Sequence, residues 1–268
     1  MHYYTLPQES AQTRFSIILT GLSAAILLLT LSAYVVDERL LGDAPVWAKP
    51  AKFASSFVVL FATIAWLETR LSEPWRDGWL LSATLVVMGT ALVAEMGYII
   101  FQAAQAEASH FNYATPFHAF MYTTVMFVGA LALVAAIGIY GFAAALDKEA
   151  ELPPGVRWGV VWGFALSFVL TVIVAGYMGG QSGHHVGTPS LDAARIPFLG
   201  WSGEVGDLRP AHFLSLHAMQ ALPLFGWVVD RQNLARPRYA VSVAAVIYTV
   251  LTLAVFAQAL AGQPLIRL

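Results

Sequence analysis

The sequence predicts an all-α, polytopic membrane bundle with seven spans, and three observations predict it. The 268 residues are 58% hydrophobic and only 11% charged, with a mean hydropathy of +0.67, whereas soluble domains carry about 25% charged residues. Seven apolar runs approach the roughly 20 residues that a helix needs to cross hydrocarbon. The connectors between them are polar or rich in proline and glycine, and none is long enough to fold alone, so one transmembrane domain covers residues 1–268.

The first run, 15–36, follows a polar leader and stops at Asp37-Glu38-Arg39 with no small-residue cleavage site before it. It therefore reads as an anchor and not as a removable signal. The next runs are 51–67, 79–103, 117–146, 158–178, 212–229 and 239–261. Glu73-Pro74, Thr115-Pro116, Pro153-Pro154-Gly155 and Arg236-Pro237 punctuate helix ends. Trp47, Trp75, Trp79, Trp158, Trp201 and Trp227 fall near those ends, where amphipathic rings anchor at membrane interfaces. The sixth run is short and carries Pro223, which predicts a kink. Ser109-His110 before Thr115-Pro116 faintly echoes Ser182-Gly183-His184 before Thr188-Pro189, but the sequence shows no convincing internal repeat.

With the N-terminal side named A, seven crossings place Arg14, Arg70, Arg76, Lys148, Arg157, Arg231, Arg236 and Arg238 on side A. Arg39, Lys49, Lys52, Arg195, Arg209 and Arg267 fall on side B. Eight basic residues against six make side A cytoplasmic, with the N-terminus in and the C-terminus out of a cell inner (plasma) membrane. The lipid bilayer is the first partner, and a homo-oligomer or a membrane complex stays open. The net charge of −2 and the absence of a basic block argue against a nucleic-acid partner. The chain has no cysteine, which excludes disulfides, thiolate metal sites and iron–sulfur clusters. It also has no P-loop, dinucleotide fingerprint or serine elbow.

Six of the seven histidines, His110, His118, His184, His185, His212 and His217, map to side B, and only His2 to side A. Imidazole is the commonest metal ligand and the usual axial ligand of membrane-bound b-type haem. A single interfacial histidine more often just prefers a half-wet environment, but the group predicts a shared site. His212 and His217 are five residues apart, about 140° around a helix, and so do not suit one zinc ion as an i, i+4 pair does. Glu95 is the one carboxylate well inside a predicted span, with Tyr98 and Gln102 continuing a polar stripe. A carboxylate there costs about 2.5–3.5 kcal/mol, which predicts a partner or a water cavity. His217 is the nominated partner, and a protonated Glu95 bonded to a neighbouring helix is the plain alternative. His118 opens the fourth run with Tyr122 one turn below. His184 and His185 follow a glycine-rich stretch that is either a ligand-bearing lid or an ordinary flexible loop.

Lys49 and Lys52 bracket Pro50 at the start of the second run, and Arg209 is similarly placed on the sixth. A cation at a helix N-terminus opposes the dipole and needs an anion nearby, such as Asp43, Asp207, a lipid phosphate or a haem propionate. Headgroup anchoring is the plain reading of all three. The hydroxyls of Tyr248, Thr249, Thr252, Thr171 and Tyr177 suit helix–helix ties, and Gly159-x-x-x-Gly163 is a weak packing signal.

The strings Glu107-Ala108-Ser109-His110-Phe111-Asn112 and Gly206 through Gln220 resemble segments of a family of bacterial multi-pass integral membrane proteins with no assigned activity. The resemblance covers most of the chain and implies a multi-pass fold but no chemistry. Span count and histidine use are also similar to the seven-helix membrane zinc hydrolases of the ceramidase and progestin-receptor type. The H-x-x-x-H pair that those place on their last span is missing here, because the seventh run has no histidine. Two-haem transmembrane reductases carry histidines on both faces, and this chain does not.

These readings combine into a first expectation: a cofactor protein holding haem b or a transition metal near the outer face, with redox or cofactor-handling activity. His217 and His118 would be ligands, with His212 and His110 as alternates. Lys49, Lys52 and Arg209 would bind the cofactor's anionic groups, Tyr122 would line the site, and Glu95 would serve as proton partner. A proton-coupled transporter or sensor using Glu95 and His217 is the second expectation. A zinc-dependent hydrolase with Glu95 as base is the third.

Overall fold

A computed structural model describes residues 10–42, 44–190 and 192–268. His2 and Asp43 lie outside the described residues. Among the described residues the chain is all-α apart from two short antiparallel strand pairs and one isolated bridge between Arg195 and Ser202. Its helices are α1 (Ala11–Val36), α2 (Ala48–Glu68), α3 (Glu73–Arg76), α4 (Trp79–Ala104), α5 (Pro116–Phe120), α6 (Phe127–Leu146), α7 (Pro154–Gly179), α8 (Arg209–Arg231) and α9 (Pro237–Leu260). A π-helical turn, Met121–Met126, joins α5 to α6 in one long rod. Strands β1 (Leu40–Leu41) and β2 (Ala44–Pro45) pair before α2, and β3 (His185–Val186) and β4 (Gly206–Asp207) pair before α8.

Among the described residues, six helices are long and apolar enough to cross a membrane: α1, α2, α4, the Pro116–Leu146 rod, α7 and α9. The predicted sixth run does form a helix, α8, but it falls outside that group. His212, Ser215, His217, Gln220 and Pro223 interrupt its apolar character. The sequence-based expectation of seven spans therefore reduces, on length and composition, to six.

The chain divides into two compact units, one of residues 1–136 and 147–151, the other of residues 137–146 and 152–268. In the first unit α1 and α2 run antiparallel. Gln12 Nε2 at the start of α1 donates to Glu68 Oε1 at the end of α2 (3.2 Å), and Trp47 Nε1 at the start of α2 donates to Asp37 Oδ2 at the end of α1 (2.7 Å). The polarity of α1 is reversed relative to a soluble helix. Five of its six buried residues are Gln12, Thr13, Ser16, Ser23 and Thr30, while Leu28 and Leu29 are 67% and 70% exposed.

In the second unit α7 and α8 are antiparallel along almost their whole length. Asp230, near the end of α8, accepts from the backbone N–H groups of Gly155 (2.7 Å) and Val156 (2.8 Å), satisfying two donors that a helix start leaves open. At the other end Thr171 Oγ1 meets Ser215 Oγ at 3.1 Å. Gly155, Gly159 and Gly163 form the contact face between these points. A Cβ at Gly159 would lie 2.5 Å from the Leu222 carbonyl oxygen, and one at Gly163 would lie 2.8 Å from that of Ala218. Ser167 Oγ inserts into the α8 ladder, donating to the Leu216 carbonyl (2.8 Å) and accepting from the Met219 N–H (2.9 Å).

The two units share a pattern that the sequence alone does not expose. In each, the second helix of the antiparallel pair opens with a basic residue, proline, alanine, a variable residue and phenylalanine: Lys49-Pro50-Ala51-Lys52-Phe53 and Arg209-Pro210-Ala211-His212-Phe213. In each, an antiparallel strand pair precedes that opening, and an acid at the far end bonds the first turn of the preceding helix.

Candidate functional site

Chemistry-bearing side chains gather at one end of each unit, where the second helix of the pair begins. In the first unit Thr115 caps α5 by accepting from the His118 N–H (3.2 Å), and Pro116 fits the first helical turn. His118 is thereby held against α4: its Nδ1 lies 3.1 Å from the Tyr98 hydroxyl and its Nε2 lies 3.4 Å from Glu107 Oε2. The 105–115 connector that carries Glu107 is pinned by Gln102 Nε2 and Asn112 Nδ2, both donating to the Ala108 carbonyl at 3.0 and 2.8 Å.

His110 is half-buried on the same connector. Its ring packs 5.4 Å from Phe53 and 5.7 Å from Tyr122, and Ser109 Oγ lies 3.2 Å from its Nδ1. Burial, with the Lys49 ammonium second, holds the His110 imidazole well below the usual histidine range. Lys49 Nζ sits 5.9 Å from the centre of the Phe53 ring. Tyr122 belongs to the π-helical turn and also meets Phe111 and Tyr113. Turns of that kind recur where a helix is distorted for function. Lys52 is half-buried one turn into α2. Glu95 is buried at 5% exposure with no hydrogen-bond partner at Oε1, and a Cβ at Gly129 would lie only 2.5 Å from that oxygen.

In the second unit the β3–β4 pairing sets His185 opposite Asp207. His184 and His185 have ring centroids 4.2 Å apart, and His185 Nε2 lies 3.7 Å from Asp207 Oδ2. One ligand atom from each of His184, His185 and Asp207 lies within 4.8 Å of the others. Among the described residues these three alone form a group of histidine and acidic side chains close enough to hold one metal ion. The Asp207 side chain is fully buried and accepts from Arg209 Nη2 (2.6 Å), Arg209 Nε (2.9 Å) and the Ser202 N–H (2.9 Å). Burial pushes its carboxyl up, but Arg209 and the backbone donors outweigh burial and hold it below the usual carboxylate range.

The remaining expected residues are nearby in the same unit. Arg209 also donates to the Gly200 carbonyl (2.6 Å), so the guanidinium is committed to Asp207 and the connector. His217 packs 4.2 Å from Phe213, which meets Trp201 at 5.7 Å, and His217 Nδ1 lies 3.1 Å from Gln220 Oε1. His212 Nδ1 is buried and has no hydrogen-bond partner.

The expected residues thus fall into two sets. His110, His118, Tyr122, Lys49, Lys52 and Glu95 belong to the first unit, and His212, His217 and Arg209 to the second. The grouping of His184 and His185 with Asp207 was not anticipated. Its only sequence signal was two adjacent histidines in a connector, because two-residue strands leave no periodicity to read. No family model, curated protein or solved structure matches the chain.

Proposed function

We propose that this chain is an integral membrane protein that binds a transition-metal ion through His184, His185 and Asp207, and that its activity lies in metal handling or redox chemistry at the outer face. The supporting observation is the 4.8 Å grouping of two imidazoles and one carboxylate. Metal–nitrogen and metal–oxygen bonds of about 2.0–2.2 Å place neighbouring ligands of a tetrahedral ion roughly 3.3–3.6 Å apart. The 3.7 Å between His185 Nε2 and Asp207 Oδ2 is near that span already. Two imidazoles and a carboxylate suit zinc, copper, nickel or iron. Haem is the weaker fit to this group, because adjacent rings 4.2 Å apart leave no room for a macrocycle between them.

Asp207 must share its oxygens between the ion and Arg209, which lowers affinity and favours exchange over permanent storage. The reading includes α8 as a seventh crossing. It pairs with α7 from Asp230 to Ser215, so a bilayer that contains α7 also contains α8, with Ser215 turned to α7 rather than lipid. Seven crossings carry the N-terminus inside and the connector with His184 and His185 outside.

The test is elemental analysis of protein purified from metal-replete cells. About one equivalent of a transition metal is expected for the wild type, and a His184→Ala/His185→Ala variant should lose it. A metal-free wild type, or full retention by the variant, overturns the reading.

A further inference from the structure

The first unit holds a second group that metal binding does not use. Glu95 lies in the interior of α4, buried, with Oε1 unpartnered. Gly129 faces it from α6, and Lys49 from α2 is the cation whose field reaches it. Tyr98 follows one turn along the same helix face, where side chains at i and i+3 are neighbours. The Tyr98 hydroxyl is 3.1 Å from His118 Nδ1, and His118 Nε2 is 3.4 Å from Glu107 Oε2. The Glu107 side chain is 46% exposed, so this series runs from a buried carboxyl to an open one. Both ring nitrogens of His118 are engaged by it.

We propose that Glu95 is a membrane-buried proton acceptor and that Tyr98, His118 and Glu107 relay its proton to and from the aqueous face at the start of α5. In release, the Glu95 O–H bond breaks and its proton passes through ordered water to the Tyr98 oxygen, the next polar group along that helix face. The Tyr98 proton moves to His118 Nδ1, and the proton on Nε2 passes to the Glu107 carboxylate and on to solvent. One proton has left Glu95 and one has entered water. Tyr98 and His118 each keep the number they had, with His118 in its other tautomer. Uptake runs the same steps backwards and restores that tautomer, so the relay resets itself. Gly129 matters because it is the neighbour without a side chain at the carboxyl. The proposal goes beyond the metal reading and shares no residue with it.

Time-resolved infrared spectroscopy after a pH jump, on the full chain in lipid nanodiscs, tests it. A protonated-carboxyl band that responds to the pH jump, and that vanishes in Glu95→Gln, is expected. Tyr98→Phe and His118→Phe should slow its response on the order of tenfold or more, since a positioned proton-transfer group contributes at least that much. Glu107→Gln, at a half-exposed position that folding tolerates, should slow it as well. The absence of any Glu95-dependent band, or unchanged rates in all three relay variants, overturns the proposal. Metal content is measured on the same samples. It should stay at the wild-type level throughout, so failure of the relay and failure of the metal reading are separately visible.

Discussion

His110 shows how a single ring sets a local pH response. Its imidazole is kept neutral by burial and by Lys49, so the folded connector binds fewer protons than the unfolded one below the ordinary histidine value of about 6.5. Stability of the 105–115 connector is therefore full above that value and falls as pH drops through it. Hydrogen exchange of this segment, corrected for intrinsic rates, should quicken between about pH 7 and pH 5.5. His110→Phe, which keeps the ring between Phe53 and Tyr122, should remove the pH dependence. At this scale an individual group was legible in the sequence: Glu95 stood out as a lone carboxylate in an apolar run, and it is buried. The pairing of groups was not legible. Tyr98 with His118, and His185 with Asp207, meet only because a capped helix start and a two-residue strand pairing bring distant positions together.

At the scale of elements, α7 and α8 fit through the absence of side chains. Gly159→Leu would drive its side chain into the backbone at Leu222 and Pro223. It should cost about 1–3 kcal/mol or more, seen as a lower thermal midpoint in detergent. Asp230→Ala removes the acceptor for two N–H groups at the start of α7 and should cost about 0.5–2 kcal/mol, the range of a lost helix cap. The Gly159-x-x-x-Gly163 spacing was legible in the sequence, but its partner was not, because Ala218, Leu222 and Gly226 are unremarkable in a helix that also holds Pro223. The same holds for the matched openings at Lys49 and Arg209. Five short positions within helices of unlike composition do not register as a repeat until both are seen to begin a packed antiparallel pair.

For the whole molecule, hydropathy delivered the helical class and six candidate spans, while α8, which the sequence also offered as a span, falls outside that group and bonds α7 through Ser215. The decisive measurement is topological. With seven crossings, reporters fused at the two termini should sit on opposite faces of the membrane; reporters on one face would leave α8 outside the count of crossings. The reversed polarity of α1 has its own consequence. Partition into oil fixes how deep that segment sits but is indifferent to which neighbour it meets, since Leu28 and Leu29 are equally content against any acyl chain. The address is written in the narrow seam of Gln12, Thr13, Ser16, Ser23 and Thr30. Exchange that seam for leucines and the segment would still enter the bilayer, but as an anonymous rod with nowhere in particular to dock.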